Sequence, residues 1–243
     1  MTHFTSGNTM IELYGMGSPN VVKVLVMLEE VGLPYRFTRV NVLAGEQFSD
    51  EFRRLNPNSK VPVIVDDDTP DGALALFESG AILQYLAEKT GVLWPTDRIQ
   101  RARVIQWLTF QMAGFGPMSG QAIHFHYATK EDSYARNRYG NELDRLIAVL
   151  EQRLCESTHL AGDDYSIADV ALFPWIRTLR AYFAKEVDQP GINRWYERVA
   201  ARPAVERAVS FANSFSERDI SELKQADRAA RDRYFGRTPR RGN

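Results

Sequence analysis

Two short motifs have the residue types and the spacing to bind a small peptide. Val61 and Pro62 stand between a polar loop and an apolar segment in NPNSKVPVIVDD, and Glu78 and Ser79 open the helix-like run ESGAILQYLAEKTG. Because proline cannot donate a hydrogen bond within a sheet, Val61-Pro62 is best placed at a turn, where the bond can be cis. The carbonyl and N–H of Val61 would then face outward and could pair with the backbone of an extended ligand.

The second motif supplies charged and polar groups at the start of a helix. Ser79 offers a hydroxyl and a backbone N–H where the helix dipole favours a carboxylate, and Glu78 could bind an ammonium group. Taken alone, each motif also fits an ordinary turn or a capped helix start. Together they describe a site for a ligand with a peptide backbone, a free carboxylate and a free amine, and glutathione has all three.

The elements around these motifs follow the order strand, helix, strand, short helix, strand, strand, helix. Apolar runs and alternation predict the strands at residues 10–14, 35–42, 61–65 and 75–77, and a short helix around 50–55. Ser18 as N-cap, Pro19 at the first helical position and Gly32 as the stop predict the first helix. This order, with a proline before the third strand, looks like the thioredoxin fold.

Changes in composition divide the chain into five predicted segments. A disordered tail at 1–9 is followed by a thioredoxin-like domain at 10–91 and by a linker at 92–98 that contains Trp94 and Pro95. An all-helical domain is expected at 99–215, and a charged tail, a solvated helix or tail, at 216–243. The predicted fold class is therefore α/β plus all-α.

Charge and cysteine content exclude several classes of function. The 243 residues carry a formal net charge of -1, which gives no electrostatic reason to expect nucleic acid or an anionic membrane as partner. A single cysteine excludes an internal disulfide framework and a dithiol redox couple, and it suits a reducing compartment. The polar start MTHFTSGNTM is unlike a secretory signal, and no apolar run reaches the length of a membrane span. We expect a cytoplasmic protein.

The chain resembles the glutathione transferases over nearly its whole length. Its first half carries the V-P and E-S motifs, and AGDDYSIADVALFPW in the helical half is similar to a family folding motif, with Ser166 and Asp169 as a structural capping box. Within the family, YGMGSPNVVKVLVMLEEVGLPY, NPNSKVP and above all QWLTFQMAGFGPMSGQ look like the bacterial nu class of glutathione-dependent disulfide-bond oxidoreductases. The glycines of GFGPMSGQ follow a helical run, so we expect a kinked helix close to a ligand or partner subunit, and no nucleotide loop.

The resemblance implies roles for residues near the sulfur and the backbone of glutathione. The nu class has T-P-N where this chain has Ser18, Pro19 and Asn20, so a hydroxyl and an amide at a helix start could donate to the glutathione thiolate. Ser18 could equally be a plain N-cap. Gln47, in GEQF, is carried over as a contact to the glycyl end or backbone of glutathione, and Lys60 could neutralise the glycyl carboxylate or remain solvated. Tyr14 is interpreted as structural.

The remaining candidates for chemistry lie in the helical half. Cys155 belongs to the helical run LIAVLEQRLCES and is predicted to be non-catalytic, which leaves glutathione itself as the redox group. Two glutathione units, or one glutathione disulfide, could then occupy the glutathione-binding groove. His124 and His126 are two residues apart on a predicted helix. Their side chains therefore lie on different sides of that helix, and no metal site is expected.

The first interpretation is a homodimeric enzyme that reduces small disulfides through bound glutathione, without a protein cysteine and with weaker transferase or peroxidase activity. Two alternatives remain open. One is a conventional transferase that conjugates glutathione to electrophiles through a thiolate stabilised by Ser18. The other is a non-enzymatic, glutathione-binding regulatory protein that keeps the same fold.

Overall fold

The structure is a computed structural model that describes residues 10–127 and 133–236. These residues form two compact units. One unit contains the described residues up to Ile82 together with those from Arg207 onward, and the other unit spans Leu83–Glu206. The predicted tail at 1–9 lies outside the described residues.

A four-stranded mixed sheet forms the centre of the first unit. Strand β1 pairs in parallel with β2 and antiparallel with β3, and β3 pairs antiparallel with β4, which gives the order β2-β1-β3-β4. With a helix between β1 and β2, this topology confirms the predicted thioredoxin-like fold. The strands are β1 (Ile11–Gly15), β2 (Tyr35–Arg39), β3 (Val63–Asp66) and β4 (Leu74–Phe77).

The first helix, α1 (Pro19–Val31), begins and ends at the residues that its sequence indicates. The Ser18 side chain accepts a hydrogen bond from the Val21 N–H, and Pro19 occupies the first helical position. Gly32 ends the helix in the left-handed region, with φ 68°, where an L side chain would be strained. Every residue from Val21 to Leu28 is buried, so α1 is a core helix.

Two further helices complete the thioredoxin-like arrangement. A short 3₁₀ turn at Glu46–Phe48 precedes α2 (Asp50–Leu55), and α3 (Ser79–Thr90) follows β4 directly. Phe52 of α2 is buried, and the Tyr14 ring meets the Phe52 ring edge-on at a centroid distance of 6.4 Å. This packing supports the structural interpretation of Tyr14.

The regular elements of the second unit are helices, which confirms the predicted helical domain. At the start of α7, the Asp169 carboxylate accepts from the Ser166 N–H at 3.0 Å and closes the predicted capping box. It also accepts from the Trp195 indole N–H at 2.8 Å. No described helix is both long and apolar enough to cross a membrane. The helices are α4 (Arg98–Phe110), α5 (Gly116–Tyr127), α6 (Ser133–Glu156), α7 (Ile167–Tyr182), α8 (Ala184–Val187) and α9 (Pro190–Ala200).

The glycines of GFGPMSGQ serve close packing inside the second unit. Residues Gln111–Phe115 form a π-helical turn between α4 and α5. A Cβ on Gly116 would lie 2.7 Å from Gln111 Nε2 and 3.3 Å from Trp175 Cε2, and one on Gly120 would lie 3.6 Å from Trp175 Cη2. Gly116 therefore permits the close approach of the Gln111 side chain and of the Trp175 indole of α7, whereas a Cβ on Gly120 would lie at an ordinary contact distance.

The C-terminal segment is helical, and part of it is less solvated than its charge pattern indicates. Helix α10 (Pro203–Gln225) runs through residue 216 without a break and is followed by α11 (Arg228–Tyr234). Phe215 of α10 stacks on Phe37 of β2 at a centroid distance of 4.7 Å, and Asp219 is only 5% exposed. These aromatic contacts thus pack this part of the charged helix on the sheet within the first unit. The last seven residues lie outside the described ranges.

Lys23 is an unusual feature of the core, because α1 buries its ammonium group. The side chain is 1% exposed, and Nζ lies 3.3 Å from the Ser79 Oγ. Burial lowers the pKa of Lys23 from 10.5 to about 7, and the charge of Glu78 opposes this shift in part.

The pKa of Lys23 makes the stability of the fold depend on pH. The folded pKa lies below the unfolded value, so between about pH 7 and 10 the unfolded chain binds more protons and the free energy of unfolding rises with pH. In Lys23→Met this rise, on the order of a few kcal/mol, should disappear. Urea denaturation across that range measures it, with the exposed Lys224→Met as control. An equal slope in Lys23→Met and the wild-type protein would contradict the assignment.

Candidate functional site

The strand register brings the predicted site residues to one edge of the sheet. β1 ends at Gly15, Tyr14 pairs with Val63 at the start of β3, and Val63 pairs with Phe77 at the end of β4. Because β3 runs against both neighbours, the segments that follow β1 and β4 meet the segment that precedes β3. These three segments carry Ser18, Asn20, Lys60, Val61, Pro62, Glu78 and Ser79.

The Val61-Pro62 bond is cis, the isomer that the sequence analysis proposed for this turn. Val61 precedes β3 and has no partner in the strand registers. The loop before it is held by Asn56, which is 1% exposed, donates to the Lys60 carbonyl at 2.7 Å and accepts from the Asn58 N–H at 2.8 Å. Asn56 was not among the predicted site residues, although the N-P-N sequence is typical of such a side-chain turn.

Glu78 and Ser79 point in different directions because of the backbone between β4 and α3. Glu78 has φ 69°, in the left-handed region, and its side chain is exposed. Its carbonyl accepts from the Ile82 N–H at 2.9 Å, which starts α3, and Ser79 is 3% exposed. A left-handed conformation costs a non-glycine residue about 1 kcal/mol or more. Such a cost at this position is typical of a functional turn.

The buried Lys23 side chain contacts Ser79 and is a further candidate residue of the site. Its ammonium group donates to the Ser79 Oγ, and a hydroxyl that accepts from a cation can donate its own hydrogen to a carboxylate. The pKa of Lys23 is lowered to about 7, and the protonated form would also favour an anion at this position. Sequence reasoning missed Lys23, but a lysine that interrupts the apolar run VVKVLVML is a detectable signal.

Ser18 and Asn20 occupy the start of α1, where backbone N–H groups favour an anion. The Ser18 Oγ accepts from the Val21 N–H at 3.2 Å, so Ser18 is an N-cap. Its hydroxyl hydrogen can still be donated, so the capping role and a contact to a thiolate are compatible. Asn20 follows Pro19 in the first turn of the same helix and is half-buried.

Gln47 and Lys60 differ in their exposure. Gln47 is 7% exposed, its Nε2 donates to the Val42 carbonyl at 3.2 Å, and its Oε1 is buried without a hydrogen-bond partner. An N–H from a ligand backbone could satisfy this oxygen, so the contact of Gln47 with glutathione stays a prediction. Lys60 is exposed, as expected for a solvated side chain or for one that reaches a ligand carboxylate.

Cys155 lies in α6, within the second unit. Its Sγ lies 3.1 Å from the Glu151 Oε1, and this hydrogen bond raises the pKa of the thiol. A thiol with a raised pKa is a poor nucleophile near neutral pH. Across residues 10–127 and 133–236, no group of three or more His, Cys, Asp or Glu side chains could hold a metal ion.

Comparison with known proteins identifies the family. Residues 9–88 match the glutathione S-transferase N-terminal domain and residues 109–203 match the C-terminal domain. The disulfide-bond oxidoreductase YfcG of Escherichia coli (strain K12) is 44% identical over 218 residues, which cover 87% of this chain and 100% of YfcG.

Two solved glutathione transferases share the fold. One, from Burkholderia graminis with two glutathione molecules bound per subunit, has 48% identity and a TM-score of 0.78, covering 83% of this chain and 88% of its own. Another, from Pseudomonas putida with one glutathione disulfide bound per subunit, has 42% identity and a TM-score of 0.77. The match covers 83% of this chain and 91% of the Pseudomonas putida chain. The chain belongs to the glutathione S-transferase family.

Proposed function

We propose that this protein is a glutathione-dependent disulfide-bond reductase. The observation that carries the proposal is the contrast between the sheet edge and Cys155. The edge presents the groups that a peptide with a carboxylate and an amine requires, whereas the one cysteine of the chain lies in the other unit and has a raised thiol pKa. The redox sulfur is therefore assigned to bound glutathione. The identity with YfcG supports the same reaction class.

Each part of glutathione has a matching group at the edge. The glutamyl carboxylate binds the Ser79 hydroxyl above Lys23, and the glutamyl ammonium group binds Glu78. The cysteinyl backbone pairs with the N–H and carbonyl of Val61, as an added strand would. The glycyl end extends toward the residues assigned to it by resemblance, Gln47 and Lys60. The sulfur then lies at the start of α1, near Ser18 and Asn20.

The reaction consists of two thiol–disulfide exchanges. The glutathione thiolate attacks one sulfur of the substrate disulfide, which forms a mixed disulfide and releases the other half as a thiolate. A second glutathione thiolate attacks the glutathione sulfur of the mixed disulfide, which forms glutathione disulfide and releases the second substrate thiolate. Each departing thiolate takes a proton from solvent. Donors from Ser18 and Asn20 and the dipole of α1 stabilise the attacking thiolate.

The finer assignments belong to the same proposal. The nu class, a homodimer, and a groove that holds two glutathione units or one disulfide fit the motif GFGPMSGQ and the complexes of the two solved relatives. The cytoplasm is the proposed compartment, because the reduction of disulfides by glutathione needs a reducing glutathione pool.

A conventional transferase reaction is the second candidate, and the capping geometry favours it. The Ser18 Oγ accepts from the Val21 N–H, which leaves its hydrogen to be donated to a thiolate that attacks an electrophile. Parallel assays with bis(2-hydroxyethyl) disulfide and with an aryl halide distinguish the two reactions. Faster turnover of the disulfide is expected, and faster turnover of the aryl halide would favour conjugation.

Removal of the Ser79 hydroxyl should weaken glutathione binding. Ser79→Ala deletes a hydrogen bond to a charged carboxylate, worth about 1.5–3 kcal/mol, so the affinity should fall roughly ten- to a hundredfold. Isothermal titration calorimetry with glutathione measures the change. The exposed Ser210→Ala on α10 is the control and should bind as the wild-type protein does. An unchanged affinity in Ser79→Ala would remove Ser79 from the site.

Replacement of the cysteine should leave the reductase active. In Cys155→Ser the disulfide turnover should remain within about twofold of wild type, because the sulfur chemistry is assigned to glutathione. Circular dichroism verifies the fold of the variant. Loss of turnover with the fold intact would identify Cys155 as a redox centre and would overturn the mechanism.

The two donors at the start of α1 should contribute unequally. Asn20→Ala should reduce turnover by up to about a hundredfold, because the amide is a donor fixed at the helix start. Ser18→Ala should cost less, since neighbouring backbone N–H groups cover part of the loss. The measurements are disulfide turnover at saturating glutathione and the pH at which bound thiol ionises. If Ser18→Ala alone abolishes turnover and raises that pH, the serine-dependent transferase mechanism replaces the reductase one.

A further inference from the structure

A carboxylate from the C-terminal helix reaches the loop that carries Ser18. The Asp219 Oδ2 of α10 accepts from the Gly17 N–H at 2.7 Å, and Gly17 directly precedes the N-cap of α1. The two residues are 202 positions apart in the sequence, and both belong to the first unit. Asp219 therefore contacts the backbone one residue before the proposed thiolate donor.

Gly17 permits this contact because it has no side chain. A Cβ at this position would lie 2.9 Å from the Asp219 Oδ2 and 3.4 Å from the Ser216 Oγ. A distance of 2.9 Å is too short for a carbon and a carboxylate oxygen, so any other residue would push the loop and α10 apart. The hydrogen bond between Asp219 and the loop therefore depends on a glycine at this position.

The other Asp219 oxygen is held by Arg39, the last residue of β2. Arg39 Nε and Nη2 donate to the Asp219 Oδ1 at 2.9 and 2.6 Å, and the two side chains are only 18% and 6% exposed. Arg39 also pairs in register with Gly15, two residues before Gly17. The arginine fixes the carboxylate relative to the same sheet edge, and it also pairs with the Glu222 carboxylate of α10 at 2.5 Å.

Aromatic and ionic contacts fix the rest of the helix to the same strand. The Phe37 ring of β2 stacks on Phe215 and meets Phe211 edge-on, with centroid distances of 4.7 and 5.6 Å. Nearer the start of α10, the Arg207 Nε lies 2.7 Å from the Glu29 Oε2 of α1. Asp219 is therefore presented by a helix that is anchored on both β2 and α1.

We propose that Asp219 is a positioning residue of the active site. Through the Gly17 N–H it sets the path of the loop from β1 to Ser18, and so directs the Ser18 hydroxyl and the Asn20 amide toward the glutathione sulfur. The inference rests on the proposed function, and it makes α10 a part of the glutathione site. A shift of about 1 Å in such donors can cost up to a hundredfold in rate.

Three variants test this role. Asp219→Ala removes the acceptor, and Arg207→Gln removes an anchor of the same helix away from the loop. The double variant Asp219→Asn with Arg39→Gln keeps an oxygen for the Gly17 N–H, because it removes the guanidinium donors that would otherwise face the new amide NH2 group. The readouts are kcat and KM for glutathione with bis(2-hydroxyethyl) disulfide, the pH at which bound glutathione ionises, read from thiolate absorbance, and the melting temperature. Hydrogen exchange of the amides at residues 16–22 reports the order of the loop without reference to activity.

The positioning role predicts a specific pattern. Asp219→Ala should lose about tenfold to a hundredfold in kcat with little change in KM, ionise bound thiol at a higher pH, and exchange faster at residues 16–22. The double variant Asp219→Asn with Arg39→Gln should restore most of the kcat, and Arg207→Gln should keep the wild-type kcat even if it melts earlier.

Other outcomes would overturn the proposal. A lower melting temperature in Asp219→Ala with unchanged kcat and thiol ionisation would show a purely stabilising role. Thiol ionisation at a lower pH in Asp219→Ala would show a direct charge effect, because loss of a nearby negative charge favours a thiolate. If Asp219→Ala does not fold, the double variant decides: a kcat no better than one-tenth of wild type would reject the hydrogen-bond role. If wild-type protein binds glutathione but reduces no disulfide, the proposed function fails, while loop exchange and thiol ionisation still test Asp219.

Discussion

The antiparallel direction of β3 against both of its neighbours is the constraint on which the site depends. Strands that run in opposite directions place the end of one beside the start of the next. Here the end of β1, the start of β3 and the end of β4 are in register through Tyr14, Val63 and Phe77. The segments that follow β1 and β4 therefore lie close to the V-P motif that precedes β3. Any slip of one residue would turn each motif to the opposite face.

Three buried polar side chains near this edge each have a hydrogen-bond partner. Lys23 is buried beside the Ser79 hydroxyl, Asn56 holds the Lys60 carbonyl, and Asp219 is bound by Arg39 and Gly17. An isolated buried charge or amide would cost several kcal/mol, so such groups persist where they are satisfied and useful. All three surround the segments assigned to glutathione. Their partial desolvation would strengthen the interactions of a ligand bound there.

The sequence predicts those parts of the structure that depend on local signals. Ser18 and Gly32 fix the two ends of α1 because a cap and a left-handed stop are properties of a few adjacent residues. The V-P and E-S motifs are local in the same sense, and Ser166 and Asp169 close their capping box within a single turn. Lys23 was missed because its partner Ser79 is 56 residues away, although the charge inside an apolar run was visible.

The C-terminal helix shows why the remainder could not be predicted. Its charge-rich sequence is typical of a solvated segment, and only the position of β2 reveals that Phe215 and Asp219 face a partner. A carboxylate in contact with this loop would ordinarily oppose ionisation of a thiol bound beside it. Arg39 reduces this effect, and its positive charge is shared between Asp219 and Glu222. It binds the Asp219 Oδ1 and leaves Oδ2 to accept from the Gly17 N–H. Arg39, Asp219 and Gly17 therefore act together. Their contacts join β2, α10 and the loop before α1, so they can be recognised only in the folded structure.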